Sequence, residues 1–584
     1  MDCSKQLRNP QAEEQQIHQW QTKSELSAYS VHDQSRRSAN YKPNIWKYDF
    51  LESLNSKFDQ GECYLIQMQK LIKDVKKLFV ECKESDVIAK LELIDSIRKV
   101  GLNNHFEQEI KAALDAIASA ELENNSNPCI SSEGDLYAAA LFFKILRQQG
   151  YQVSQDIFGR FMDEMGTLKK STSGNVKGMI ELLEASNLAF EGEDILEKAQ
   201  AFLIATLRDT NTMWDEIDSS ISKHVTCSLE LSSQRRVQWF NVKWHIKAYE
   251  KNRTNQPYMT TLLELAKLNF NEVQATLQKD LREASKWWYN LGLTKNLDFA
   301  RDRMVECFMC AVGLAFETDH KSFRKWLTKV INLILIIDDV YDVYGSLEEL
   351  KHFTRAVERW DVMETEQLPE CMKICFQVLY NTTCEIANET EEENGWNQVL
   401  PQLCKVWADF CKALLVEAEW YNEAYTPSFE EYLSNGYISS SASLIFTHAF
   451  FATKHEEGVD DSLHMNEDLV YNISVILRLL NDLGTSAAEQ ERGDAASSIL
   501  CYKREMNVSE EIARKNIKSM IDNAWKKINE NCLTRNPKIS SSYINITTNI
   551  ARVGHILYQD GDGFGDQEQG TRALIQSLLV EPLS

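Results

Sequence analysis

The segment INLILIIDDVYDVYG, Ile331 to Gly345, runs from a mostly apolar stretch into Asp338, Asp339 and Asp342, three carboxylates within five positions. Read as a helix, it places Asp338 and Asp342 on one face, roughly 40° apart, with Asp339 about 100° round from Asp338. Carboxylates late in a helix oppose the macrodipole, whose C-terminal end is negative, so they call for compensating cations. Three hard oxygen donors suit Mg²⁺ or Mn²⁺. The competing reading is a solvated helix end.

The helical reading extends along the chain. Val87, Leu91, Ile94 and Ile97 form one stripe before Gly101, and Val273, Leu277, Leu281, Ala284 and Trp288 form another. Alternating patterns bounded by Asn-Gly or Asp-Gly turns are scarce. Across 584 residues there are only 22 Gly and 9 Pro, well below the roughly 12% usual for soluble domains. The fold class expected is all-α. A Ser-rich break with a basic pair, SLELSSQRRVQWFN (Ser228–Asn241), marks the expected boundary between an N-terminal helical domain, 36–240, and a C-terminal one, 241–584.

Composition excludes several functions. A net charge of -24 disfavours a nucleic-acid backbone as partner. The longest apolar run, Val330 to Ile337, is interrupted by Asn332 and falls short of the roughly 18 to 20 residues that span a bilayer. The fourteen cysteines are scattered, and the CxxC at Cys307 and Cys310 lacks a second pair to complete a zinc site, so reduced core cysteines are expected. Residues 1–35 are polar and aperiodic, a mobile arm in this reading. They carry Asp2, Glu13, Glu14, Glu25 and Asp33, unlike an acid-poor transit peptide, so a cytoplasmic, monomeric protein is expected.

A second constellation weighs against the solvated-end reading. In NDLGTSAAE, Asn481, Thr485 and Glu489 recur at i, i+4 and i+8, aligning three further oxygen ligands on one helical face. Two such faces across a cavity would bind several metal ions. Mg²⁺ keeps positions for water or substrate phosphate, so the site invites a diphosphate. Arg301 and Arg303 in FARDRM, and Arg478 one turn before Asn481, are the candidate counter-charges.

Together, DDVYD (Asp338–Asp342), NDLGTSAAE (Asn481–Glu489) and RDR (Arg301–Arg303) resemble the signature motifs of plant terpene synthases in order and spacing. RRSANYKPNIW, with Arg36, Arg37 and Trp46, resembles the RRx8W element of the monoterpene-type subfamily. The resemblance implies an N-terminal α-barrel without catalytic function and a C-terminal class I helical domain. In that domain three Mg²⁺ ions would bridge Asp338, Asp339 and Asp342 on one wall, and Asn481, Thr485 and Glu489 on the other, to a prenyl diphosphate. Arg301, Arg303 and Arg478 would hold the departing diphosphate. Ser439, Ser440 and Ser441 in YISSSAS match the family's broken helix, and Phe564 in GDGFGD an aromatic position near the C-terminal cover.

Many relatives place a Trp seven residues after the second Arg of RxR, at the pocket floor; here that position is Cys310. Either the floor lacks an indole and admits an extended chain, or Phe308 or Trp326 fills the gap. The wording of RRSANYKPNIWK, SQDIFGRFMDE and RDRMVECFMCAVG further resembles the acyclic α-farnesene-forming branch, which uses farnesyl diphosphate. Release of an acyclic monoterpene such as β-ocimene from geranyl diphosphate is the alternative. A chain-elongating prenyltransferase would show a second DDxxD, a class II cyclase a DxDD, and neither occurs. A non-catalytic helical scaffold would leave Asp338, Asn481 and Glu489 without function.

Overall fold

Long amphipathic helices with few turn-formers leave helix-on-helix packing as the way to bury the apolar stripes. The computed structural model describes residues 41–584 apart from 57, 59–61, 82–85, 124–134, 164–165, 170–174, 218, 253–257, 454–466, 493–495, 534–539, 560 and 566–568. The expected arm 1–35, and Arg36 and Arg37, lie outside these residues. Among those described there is no strand, only an isolated bridge between Met162 and Leu168. No helix is long and apolar enough to cross a membrane.

The first half contains helices Val87–Lys99, Leu136–Gln148, Val176–Ser186, Asp194–Ile217 and Ser219–Glu230. One hydrophobic cluster, from Leu136 to Val225, lies within this half. A larger one runs from Trp46 to Leu583. A buried ion group links the helices here: Lys144 Nζ reaches Asp95 at 2.9 Å and Glu181 at 2.5 Å. At the expected boundary, helix Ser219–Glu230 gives way to a short turn at Ser233–Arg235, and the next helix starts at Gln238.

The second half is built on α1 (Met259–Leu291), α2 (Met304–Leu314), α3 (Lys321–Asp339), α4 (Val399–Asn422), α5 (Phe429–Ser439), α6 (Ala442–Ala452), α7 (Glu467–Arg492) and α8 (Ser541–Tyr558). The stripe expected on α1 is buried: Val273, Leu277, Leu281, Ala284 and Trp288 all sit in the core. The same helix carries buried Asn271, Gln274 and Gln278, which give amide N–H groups to the carbonyls of Leu583, Leu578 and Leu579 at 2.7 to 2.8 Å. A polar ladder thus binds the C-terminal segment lengthwise along α1. Arg324, fully buried on α3, pairs with Asp280 of α1 at 2.6 Å and fixes the helix that ends in the aspartates.

Candidate active site

α3 is buried for almost its whole length because its apolar residues surround the axis, and it keeps regular α geometry as far as Asp339. Val340–Tyr344 then form a wider π-turn, closed by the Gly345 N–H donating to the Val340 carbonyl five residues back at 2.8 Å. Such turns cluster at functional sites because they re-aim side chains out of the regular helical register. Asp342 lies on this turn and is exposed, and Asp338 is partly exposed.

Asp339 has a different environment. It is completely buried, accepting the Arg301 backbone N–H at 2.7 Å, with the Arg301 Nε 3.0 Å from its other oxygen. Arg301 also reaches Asp338 with Nη2 at 2.6 Å. Burial pushes the Asp339 carboxyl up to about 6 against the pull of Arg301. Burial alone would lower the Arg301 pKa, but Asp339 and Asp338 outweigh it and hold the guanidinium charged. Arg301, Asp338 and Asp339 therefore form one electrostatic unit.

The second wall is α7. Arg478 donates to the Asn481 side-chain oxygen and lies 3.1 Å from Asp482. Asp482, buried behind Asn481, accepts the Tyr432 hydroxyl at 2.9 Å and the Ser498 N–H at 2.9 Å. It is the acid that anchors α7 to α5 and to the helix starting at Ser498. Thr485 is buried, its hydroxyl donating to the Asn481 carbonyl at 2.9 Å. The Glu489 side chain lies outside the described residues, although its backbone continues α7.

Two residues that sequence reasoning missed lie beside Arg478 and Asn481 of α7. Glu417 on α4 accepts the Ser439 hydroxyl at 2.5 Å and has Arg478 at 3.9 Å. Burial raises its pKa, Arg478 opposes this, and both Asp338 and Asp482 add to the rise. Tyr558, at the end of α8, hydrogen-bonds Asn481, and the charges of Arg478 and Arg301 both act on its hydroxyl. Neither belongs to a recognisable motif: Glu417 is one acid in the helical run VEAEWYN, and Tyr558 comes near the walls only when the C-terminal helix packs back.

The remaining candidates are distributed as follows. Ser439 and Ser440 end α5, and Ser441 takes a left-handed φ of 64°, a conformation that costs a non-glycine residue about 1 kcal/mol and breaks the helix before α6. Cys310 and Cys307 are buried free thiols, their pKa values raised first by burial. Trp326 turns its indole N–H to Glu389 on helix Glu370–Asn394, and Phe308 is buried in the core. Phe564 is also buried. Arg303, buried beside Arg301, turns away from the aspartates and donates to the carbonyls of Phe564, Asp302, Lys42 and Gly565 at 2.8 to 2.9 Å.

The donors fit a hard divalent cation in kind, since Asp338, Asp342, Asn481 and Thr485 offer only oxygen. Among the described residues, however, no group of three His, Cys, Asp or Glu is already gathered for a metal. The Asn and Thr donors of α7 are of other types, and Arg301 occupies Asp338.

Each of the two oxygen-bearing helix segments of this all-α chain thus carries its own arginine, Arg301 at the end of α3 and Arg478 on α7. Residues 45–229 match the family model described as terpene synthase, N-terminal domain, and 289–527 that of terpene synthase family, metal binding domain. The chain belongs to the terpene synthase family and is a lyase-type enzyme of it.

It is 65% identical to (E,E)-alpha-farnesene synthase of Malus domestica, over 98% of each chain. It is 54% identical to alpha-farnesene synthase of Ricinus communis, over 97% of this chain and 99% of the relative. Limonene synthase with 2-fluorolinalyl diphosphate superposes with a TM-score of 0.88 at 37% identity, over 94% of this chain and 100% of that one. Isoprene synthase from grey poplar leaves, in complex with three Mg²⁺ ions and dimethylallyl-S-thiolodiphosphate, gives 0.82 at 38%, over 93% and 99%.

Proposed function

We propose that the chain is a Mg²⁺-dependent sesquiterpene synthase that ionises farnesyl diphosphate and lets the farnesyl cation lose a proton without ring closure, giving α-farnesene and diphosphate. The observation that carries this reading is an arginine beside each oxygen-bearing helix face: Arg301 reaches Asp338 at 2.6 Å at the end of α3, and Arg478 donates to the Asn481 side chain on α7. Fixed positive charge beside both candidate metal-binding faces is what a departing diphosphate requires. The relatives named α-farnesene synthases supply the product, and the isoprene synthase complex supplies the ion.

Asp338, Asp342, Asn481, Thr485 and Glu489 would hold the metal, which neutralises charge that develops on the leaving diphosphate. Arg301 and Arg478 bring fixed positive charge to the same region at no reorganisation cost. The carbocation needs water excluded. Ser441 breaks the helix between α5 and α6, and backbone carbonyl dipoles at that break would stabilise a nearby cation without reacting with it. Residues 36–240 act as a non-catalytic domain and 241–584 as the catalytic one, in the cytoplasm and as a monomer.

The test is a product profile by gas chromatography with farnesyl and geranyl diphosphates, with and without Mg²⁺. An acyclic C15 hydrocarbon formed only with the metal is the expected result. Volatile product from geranyl diphosphate alone would replace this reading with an acyclic monoterpene synthase.

A further inference from the structure

Three stretches far apart in sequence meet at the RDR turn. Tyr41 lays its ring against Arg301, 5.0 Å from the guanidinium carbon to the ring centre. The Lys42 carbonyl accepts from Arg303 Nη2 at 2.9 Å. Trp46 donates its indole N–H to Glu306 at 2.9 Å in a buried contact. The Tyr41–Trp46 segment thus runs alongside residues 301–306, contacting Arg301, Arg303 and Glu306 in turn.

The third stretch is Asp562–Gly565. Arg303 Nε and Nη2 bond the Phe564 and Gly565 carbonyls at 2.8 and 2.9 Å. The chain entering this loop lies on α7 at Gly484, where an added Cβ would meet the Gly561 carbonyl oxygen at 2.9 Å and that of Tyr558 at 3.1 Å. The loop is therefore tied to the RDR turn through Arg303, and the chain entering it rests on α7.

A guanidinium has five N–H groups in a fixed fork. Four contacts from Arg303 already go to carbonyls, and the residue is 1% exposed. To grip a diphosphate it would have to abandon them and strand buried carbonyls, at about 1 to 3 kcal/mol each. Arg301, two residues earlier in the chain, faces the aspartates instead.

We infer that Arg303 is a positioning residue: it straps the Tyr41–Trp46 segment and the Asp562–Gly565 loop together over Arg301, keeping water from the reacting cation rather than holding diphosphate. This deepens the reading as a synthase of acyclic hydrocarbon. When the strap loosens, water oxygen bonds to the cation and sheds a proton, so an allylic alcohol replaces the hydrocarbon formed by loss of a C–H proton.

The test compares Arg303→Lys and Arg303→Gln with the unaltered full chain. The alcohol share of the product from farnesyl diphosphate should rise roughly fivefold to tenfold, as expected from losing one net hydrogen bond. KM should change less than about threefold, because uniform binding is untouched. Amide hydrogen exchange should quicken at 41–46 and 562–565 together, whatever the activity. A KM raised about tenfold or more with the alcohol share unchanged would show that Arg303 binds diphosphate, and exchange quickening in only one segment would also overturn the strap. Were the unaltered chain to make no hydrocarbon, the functional reading would fail while exchange still decided the strap.

Discussion

Asp338 and Asp339 are adjacent in the chain yet sit in opposite surroundings, one partly open and one sealed against Arg301. Asp338→Ala should therefore keep the fold and lower kcat at least about 100-fold, the scale of removing one preorganised electrostatic group; a turnover assay beside a circular dichroism spectrum separates the two effects. Asp339→Ala leaves Arg301 without its fully buried carboxylate partner, and breaking a buried pair costs about 3 kcal/mol or more. Its denaturation midpoint should fall as well as its activity. Asp482→Ala belongs with Asp339→Ala, because it strands the Tyr432 hydroxyl, the Ser498 N–H and Arg478. Spacing marked Asp338 and Asp342 as a pair from the sequence, but not which acid of each motif turns inward. That depends on what packs behind the helix.

At the scale of elements, α6 carries a pH-dependent contribution. His448 is buried there, its Nδ1 bonded to the Leu444 carbonyl at 2.8 Å, so the proton sits on Nδ1 and the ring is neutral. Burial lowers its pKa from 6.5 to about 4, the Leu444 carbonyl opposing the shift. The folded value lies below the unfolded one, so the contribution is complete above pH 6.5 and is lost as pH falls through the folded value of about 4. It amounts to about 3 kcal/mol. His448→Gln should flatten the fall in unfolding free energy across that window, and an unchanged slope would refute the assignment. The C-terminal segment allows a second test. Removing Glu581–Ser584 exposes the Leu583 site and leaves Asn271 without its partner. The loss is about 3 kcal/mol, and a thermal melt should show the lowered midpoint. Periodicity revealed the apolar stripe of α1 but not this polar ladder, since Asn271, Gln274 and Gln278 read as an ordinary solvated face until the tail lies on them.

At the scale of the whole molecule, the metal should be needed for turnover and not for folding, because helix packing and buried pairs such as Arg324 of α3 with Asp280 of α1 already hold the helices in place. Chelation should abolish product while leaving the far-ultraviolet spectrum and melting temperature as they were, unlike a domain whose fold depends on its metal. The all-α class and the placement of Asp338 and Asn481 on helices were legible in the sequence, because helical period, scarcity of turn-formers and i, i+4 spacing are local properties of the chain. Only the tertiary structure decided that Arg301 clasps the aspartates while Arg303 turns to the backbone, that Trp326 faces Glu389, and that Glu417 and Tyr558 come beside Arg478 and Asn481. Each of these depends on which segments distant in the chain meet, and burial, hydrogen-bond satisfaction and charge compensation settle that only once the helices have packed.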